Sequence, residues 1–155
     1  MNVEKDFEEF FALLNKHKVR YCVVGAYAVA YHGMPRATGD IDVLVEPDLE
    51  NAKKIIRALR EFGFGALKLT EQDFCRKNHV VQLGVPPLRI DLLTSISGVD
   101  FERVWNHRVF NRYGRQKVWV MGRRELLVNK GKTGRPKDKL DVESLKNRKP
   151  NIKGS

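Results

Sequence analysis

The chain has 155 residues, 29 of them Lys or Arg and 19 Asp or Glu, giving a formal charge of +10. Such a length suits one domain with a core of its own, and 42% hydrophobic with 31% charged residues exclude disordered, collagen-like and coiled-coil readings. No run approaches the roughly 20 apolar residues of a membrane span, and the acids between Met1 and Phe11 do not suit a signal peptide, so no membrane partner and a cytoplasmic location are expected.

In chain order, residues 4–16 set Phe7, Phe10, Phe11, Leu13 and Leu14 on one helical face, with acids in the first turn where the helix dipole favours them. Residues 19–24 are β-branched and aromatic and stop at Gly25, which predicts a buried strand. Small apolar residues 26–31, closed by His32-Gly33 and Pro35, predict a short helix packed on the sheet. Residues 39–45 alternate, with Ile41, Val43 and Val45 on one side and Asp40, Asp42 and Leu44 on the other, as in a strand with one buried face. Helical spacing through Ala52, Ile55, Ile56, Leu59 and Phe62 predicts a helix over 49–62, stopped by Gly63.

A strand is predicted at 80–83 ahead of Pro86-Pro87, and another at 88–93, where Arg89, Asp91 and Leu93 face away from Leu88, Ile90 and Leu92. A short helix follows from Asp100 through Trp105, then two strands within 108–121 around Arg112-Tyr113-Gly114. Two helices, 123–129 and 137–145, complete the pattern, and 146–155 reads as a disordered basic tail. One domain over 1–145 is expected.

Cys22 and Cys75 lie far apart and outside any Cys-x-x-Cys pair, so both read as free thiols, and the four histidines lack ligand spacing. Charge is uneven: nine basic residues against three acids from Asn129 onward leave only +4 for the rest. That concentration suits an anionic partner, and equally a solvated helix with a basic tail. Gly131-Lys132-Thr133 is not a phosphate loop, because Leu126 stands where its first glycine belongs and a helix precedes it.

Three aspartates carry the chemistry. Asp40 and Asp42 project from one side of their strand, and Asp91 sits opposite an apolar face of another. If the two strands are neighbours, three carboxylates converge, and such hard oxygen donors suit Mg²⁺ or Mn²⁺. Upstream, the strand ending at Val24 runs through Gly25-Ala26 directly into a helix, whose first N–H groups are available to phosphate oxygens.

Residues 23–45, from Val23-Val24-Gly25-Ala26 to Gly39-Asp40-Ile41-Asp42, resemble the signature of the polymerase-β-type nucleotidyltransferase superfamily. Arg-Ile-Asp at 89–91 extends the likeness, and Lys130 with the segment 134–143 is similar to the minimal group that includes nucleotidyltransferase toxins of abortive-infection systems. The resemblance implies an α+β fold, a mixed β-sheet with flanking helices, and transfer of a nucleoside monophosphate from an NTP to an acceptor such as RNA or protein, with pyrophosphate released. It implies that Asp40 and Asp42 bind two metal ions, and that Asp91 binds the catalytic one and helps deprotonate the acceptor hydroxyl. Gly25 and Ala26, Arg36 and Thr38, and Lys130 would hold the triphosphate, and a neutralising partner protein would accompany a toxin. Ala26 departs from the usual Gly-Ser or Gly-Gly turn and so lacks a phosphate-binding hydroxyl. His32 is a cap or a further site residue.

A metal-dependent nuclease and a non-catalytic nucleic-acid or protein binding module of the same fold are the competing readings. A small-molecule acceptor is disfavoured here because little chain follows Asp91 to build a substrate domain.

Overall fold

The computed structural model describes residues 4–33, 39–63, 68–85 and 88–133, together with 142, 143 and 146. Twelve elements follow in order among them: α1 (Lys5–Lys16), β1 (Tyr21–Val24), α2 (Gly25–Tyr31), β2 (Asp40–Val45), α3 (Leu49–Phe62), α4 (Gln72–Cys75), β3 (Val80–Val85), β4 (Leu88–Leu93), α5 (Phe101–Asn106), β5 (Val109–Tyr113), β6 (Gln116–Val120) and α6 (Arg123–Thr133).

Phe7, Phe10, Phe11 and Leu14 recur on one side of α1 and are buried, so the helix forms as an amphipathic cylinder whose apolar stripe needs a partner. The partner is a six-stranded sheet of order β3-β4-β2-β1-β6-β5. Pairing is mixed: β4 with β2 and β1 with β6 are parallel, and the other three pairs are antiparallel. The expected α+β class with a mixed sheet and flanking helices is what the chain adopts.

Strand register assigns the two faces. Tyr21 lies opposite Val45, Val23 opposite both Val43 and Val120, and Tyr113 opposite Gln116, so these side chains share one face. Phe11 meets that face through Tyr21 (ring centroids 6.0 Å apart) and Tyr113 (5.6 Å). Helix α3 packs beside α1, with Phe62 against Phe10. Asp48 caps α3 by accepting from Asn51 N–H, and Gly63 ends it in the left-handed region at φ +102°. Buried Asn51 bonds Arg20 N–H with its oxygen and donates to the carbonyls of Arg20 and Glu46, satisfying backbone groups beyond the strand ends.

On the other face, Val24 stands opposite Asp42, Asp42 opposite Asp91, and Asp40 opposite Arg89. Helices α5 and α6 lie on this side, linked by the Arg103–Glu125 ion pair (3.2 Å).

Several boundaries differ from the sequence expectation. Strand β1 begins at Tyr21 because Val19 N–H bonds Leu14 O and closes α1. Strand β3 runs two residues further than expected, and α4, a single turn, was not predicted. Helix α6 continues to Thr133, because the Asn129 amide donates to Ser97 O (2.9 Å) instead of ending the helix. Of the helix expected over 137–145 and the tail expected over 146–155, only Val142, Glu143 and Lys146 are among the described residues, and all three are helical.

Both cysteines are free and Cys22 is buried. Among the described residues, no helix is long and apolar enough to cross a membrane.

Candidate active site

Asp42 is held at the centre of the sheet, between Val24 of β1 and Asp91 of β4. Its strand runs parallel to β4, so Asp40 and Arg89 are matched two residues before Asp42 and Asp91. Alternation then sends all four side chains to one face. The two aspartate-bearing strands read from the sequence thus form one cluster.

Arg89 binds that cluster together. Its Nη2 lies 3.3 Å from Asp40 Oδ2 and 3.3 Å from Asp91 Oδ2. Its Nε approaches Asp91 Oδ1 to 3.1 Å, but without hydrogen-bond alignment, so both of these buried atoms lack a hydrogen bond. Asp91 is 8% exposed, and an oxygen buried there without an aligned donor favours a further cationic partner.

Asp42 feels the crowding most. Burial, then the charges of Asp91 and Asp40, push its carboxyl up to about 6, against the opposing pull of Arg89 and Lys130. Desolvation and like charges both disfavour the ionised form. A divalent cation would relieve this repulsion, and hard carboxylate oxygens are its preferred donors. Among the described residues no three His, Cys, Asp or Glu side chains close into one coordination sphere; the Arg89 guanidinium stands between two of the carboxylates.

Gly25 begins α2 with φ +66°, and a Cβ there would overlap Asp42 Oδ2. Glycine is required by the backbone conformation and by the carboxylate together. Ala26 follows in the first turn of α2, where N–H groups have no partner within the helix. Lys130 is on α6, 5% exposed, and its charge acts on Asp42. Arg36 and Thr38 lie outside the described residues. His32 bonds Met121 O through Nε2 (2.8 Å), tying the end of α2 to the end of β6, and burial lowers its pKa; this is the cap role.

Arg89 is the site residue that the sequence reading left unassigned, although its period-two spacing from Asp91 put it on the carboxylate face. A cleft of about 340 Å³ lined by Pro47, Lys77, Thr94 and Phe101, among others, lies beyond the far ends of β2 and β4, and none of the site residues borders it.

No protein-family model and no curated protein matches the chain. Solved structures do. A protein from Thermotoga maritima described as a putative nucleotidyltransferase has a TM-score of 0.59 at 19% identity, covering 92% of this chain and 91% of that one. The lincosamide antibiotic adenylyltransferase LnuA, in lincomycin-bound form, has a TM-score of 0.54 at 17% identity, covering 95% and 99%. An antigenic nucleotidyltransferase-like protein from Paracoccidioides brasiliensis has 0.51 at 18% identity, covering 92% and 77%. The chain has the nucleotidyltransferase fold.

Proposed function

We propose that the protein is a metal-dependent nucleotidyltransferase that moves a nucleoside monophosphate from an NTP to an acceptor hydroxyl and releases pyrophosphate. The observation that carries this reading is the parallel match of Asp42 with Asp91, with Asp40 two residues before and Lys130 acting on the same carboxylate.

Asp40, Asp42 and Asp91 would hold Mg²⁺ or Mn²⁺, which when bound supplies charge stabilisation to the attacking and leaving oxygens. The N–H groups at the Gly25-Ala26 turn receive phosphate oxygens, and Lys130 neutralises triphosphate charge. Arg36 and Thr38 belong to the same nucleotide set. Asp91 takes part in removing the acceptor proton. Arg89 holds Asp40 and Asp91 in place while their charges are uncompensated.

The acceptor is proposed to be a macromolecule, RNA or protein. A small-molecule acceptor is a second reading, favoured by one observation: LnuA, an antibiotic adenylyltransferase, aligns over 99% of its length with 95% of this chain, which removes the objection that too little chain follows Asp91. The toxin role with a neutralising partner rests on the likeness around 130–145, most of it outside the described residues.

Incubation with each α-labelled NTP and Mg²⁺, alone, with total RNA and with cell extract, tests the proposal and reports donor and acceptor together. Label transfer with pyrophosphate release, abolished by Asp42→Ala, is expected. Absence of metal-dependent NTP binding and transfer with all four nucleotides would overturn it, and RNA cleavage without NTP would favour the nuclease reading.

A further inference from the structure

The carboxylate face of the sheet carries a second feature. Val23 is opposite Val120, so Trp119, one residue earlier, points to the face of Val24 and Asp42. Strands β5 and β6 match Phe110 with Trp119 and Arg112 with Lys117, which puts all four on that face. Two strand spacings separate β2 from β6, so Trp119 stands about 10 Å across the sheet from the carboxylate strand.

These side chains form a ladder of alternating rings and cations. The Arg108 guanidinium lies 3.7 Å from the Trp105 ring centre and 4.4 Å from that of Trp119. Lys117 Nζ lies 5.0 Å from Trp119, Arg112 is 5.5 Å from Phe110, and Phe110 meets Trp119 edge-on at 6.1 Å. Trp105, Arg108 and Trp119 are half-buried and locked by their mutual stacking, whereas Phe110, Arg112 and Lys117 are exposed. Phe110 is 37% exposed and is one of three large apolar side chains that the described surface leaves exposed. Among the described residues, none of Arg108, Arg112 and Lys117 is in an ion pair with a carboxylate.

We infer that this ladder is a binding platform for single-stranded RNA. Unpaired bases stack on exposed rings and guanidinium planes, while lysine and arginine charges meet the phosphates, and that combination of surfaces is what Phe110, Arg112 and Lys117 present. Their positions are set in advance by the inner Trp105–Arg108–Trp119 stack, which reduces the ordering cost of binding. Residues 105–119 hold Arg108, Arg112, Arg115 and Lys117 and no acid, a local positive charge that complements a polyanion. Strand β5 is the sheet edge, and an edge turns backbone N–H and C=O groups outward. At Arg112 these groups are already taken, the N–H by Asn111 Oδ1 and the carbonyl by the Tyr31 hydroxyl; at Phe110, the other ladder residue of β5, a ribose 2′-hydroxyl, donor and acceptor at once, can meet them where deoxyribose cannot. RNA binding stands without the transfer chemistry; that the bound RNA is the acceptor rests on the proposed function.

The test is fluorescence anisotropy of the full chain with a labelled mixed-sequence 12-nucleotide RNA, without NTP or metal, so failure of the transfer reading leaves the result interpretable. Phe110→Ala is expected to weaken binding roughly tenfold or more, as for loss of one stacked base, and Phe110→Tyr to retain it. The Arg112→Ala/Lys117→Ala double variant should reduce the slope of log K against log salt by about 1.4. DNA of the same sequence should bind several-fold more weakly. Unfolding curves matching the parent confirm that each variant is folded. Affinity unchanged in Phe110→Ala, equal binding of DNA, or displacement of the RNA by poly-glutamate at equal charge would overturn the inference, the last assigning the strip to acidic protein.

Discussion

Gly25 and Asp42 share one space: a Cβ at residue 25 would overlap the Asp42 Oδ2 atom and stand 3.1 Å from its Cγ. The start of α2 and the central carboxylate are therefore coupled. Gly25→Ala should displace Asp42, and the positive φ adds strain of about 1–3 kcal/mol. The expected outcome is a lower melting temperature together with loss of Mg²⁺-dependent NTP turnover, read by thermal unfolding and pyrophosphate release. A variant with parental turnover would show that Asp42 adjusts freely.

Asp42 should oppose stability in the metal-free protein. Its carboxyl is raised to about 6 by burial and by Asp91 and Asp40, so between its ordinary value and about 6 the folded chain keeps a proton that the unfolded chain has released. Stability must then fall as pH rises through that window, and the penalty is fully present above it. Asp42→Asn is expected to stabilise the metal-free protein by roughly 1–3 kcal/mol at pH 7.5 and hardly at all at pH 4, while abolishing transfer. Denaturant titrations at both pH values check the sign; an equal gain at both would contradict it.

Arg89 stands between Asp40 and Asp91 as their built-in countercharge. In Arg89→Met the carboxylates lose it, and the metal-free protein should lose roughly 1–3 kcal/mol. Because cation and guanidinium neutralise the same oxygens, Mg²⁺ should then raise the melting temperature more than in the parent. A smaller Mg²⁺ effect than in the parent would mean that Arg89 is needed to shape the metal site.

Lys130 reaches the site from α6, 5% exposed, and its charge acts on Asp42. Replacing it by Met should weaken NTP binding roughly ten- to a hundred-fold, the range for a hydrogen bond to a charged group. Calorimetry with a non-hydrolysable NTP and Mg²⁺ measures this directly, and unchanged affinity would remove Lys130 from the nucleotide site.

The sequence made the faces of the strands legible, because side chains alternate strictly in β structure whatever lies beside them. Asp40 and Asp42 on one side of β2, and Arg89 and Asp91 on one side of β4, follow from that rule alone. Helix α3 was equally readable from its apolar spacing and Gly63 stop, and the structure adds its Asp48 cap. Helix α6 was less so: Asn129 resembles a terminator until its amide is seen donating to Ser97 O. Trp105, Arg108, Phe110, Arg112, Lys117 and Trp119 were visible one by one, but their alliance spans a helix and two strands.

Local pattern by itself determined most of the succession of helices and strands, the carboxylate-bearing strands and the glycine at the turn from β1 into α2, since each depends on local period or backbone freedom. Tertiary structure alone decided who stands next to whom. The order β3-β4-β2-β1-β6-β5 matched Asp42 with Asp91, set Arg89 between two carboxylates and put the cation–ring ladder on their face. Those relations arise from pairing between strands distant along the chain, and register across a sheet is settled by burying the opposite apolar face against α1 and α3, which no local stretch of sequence encodes.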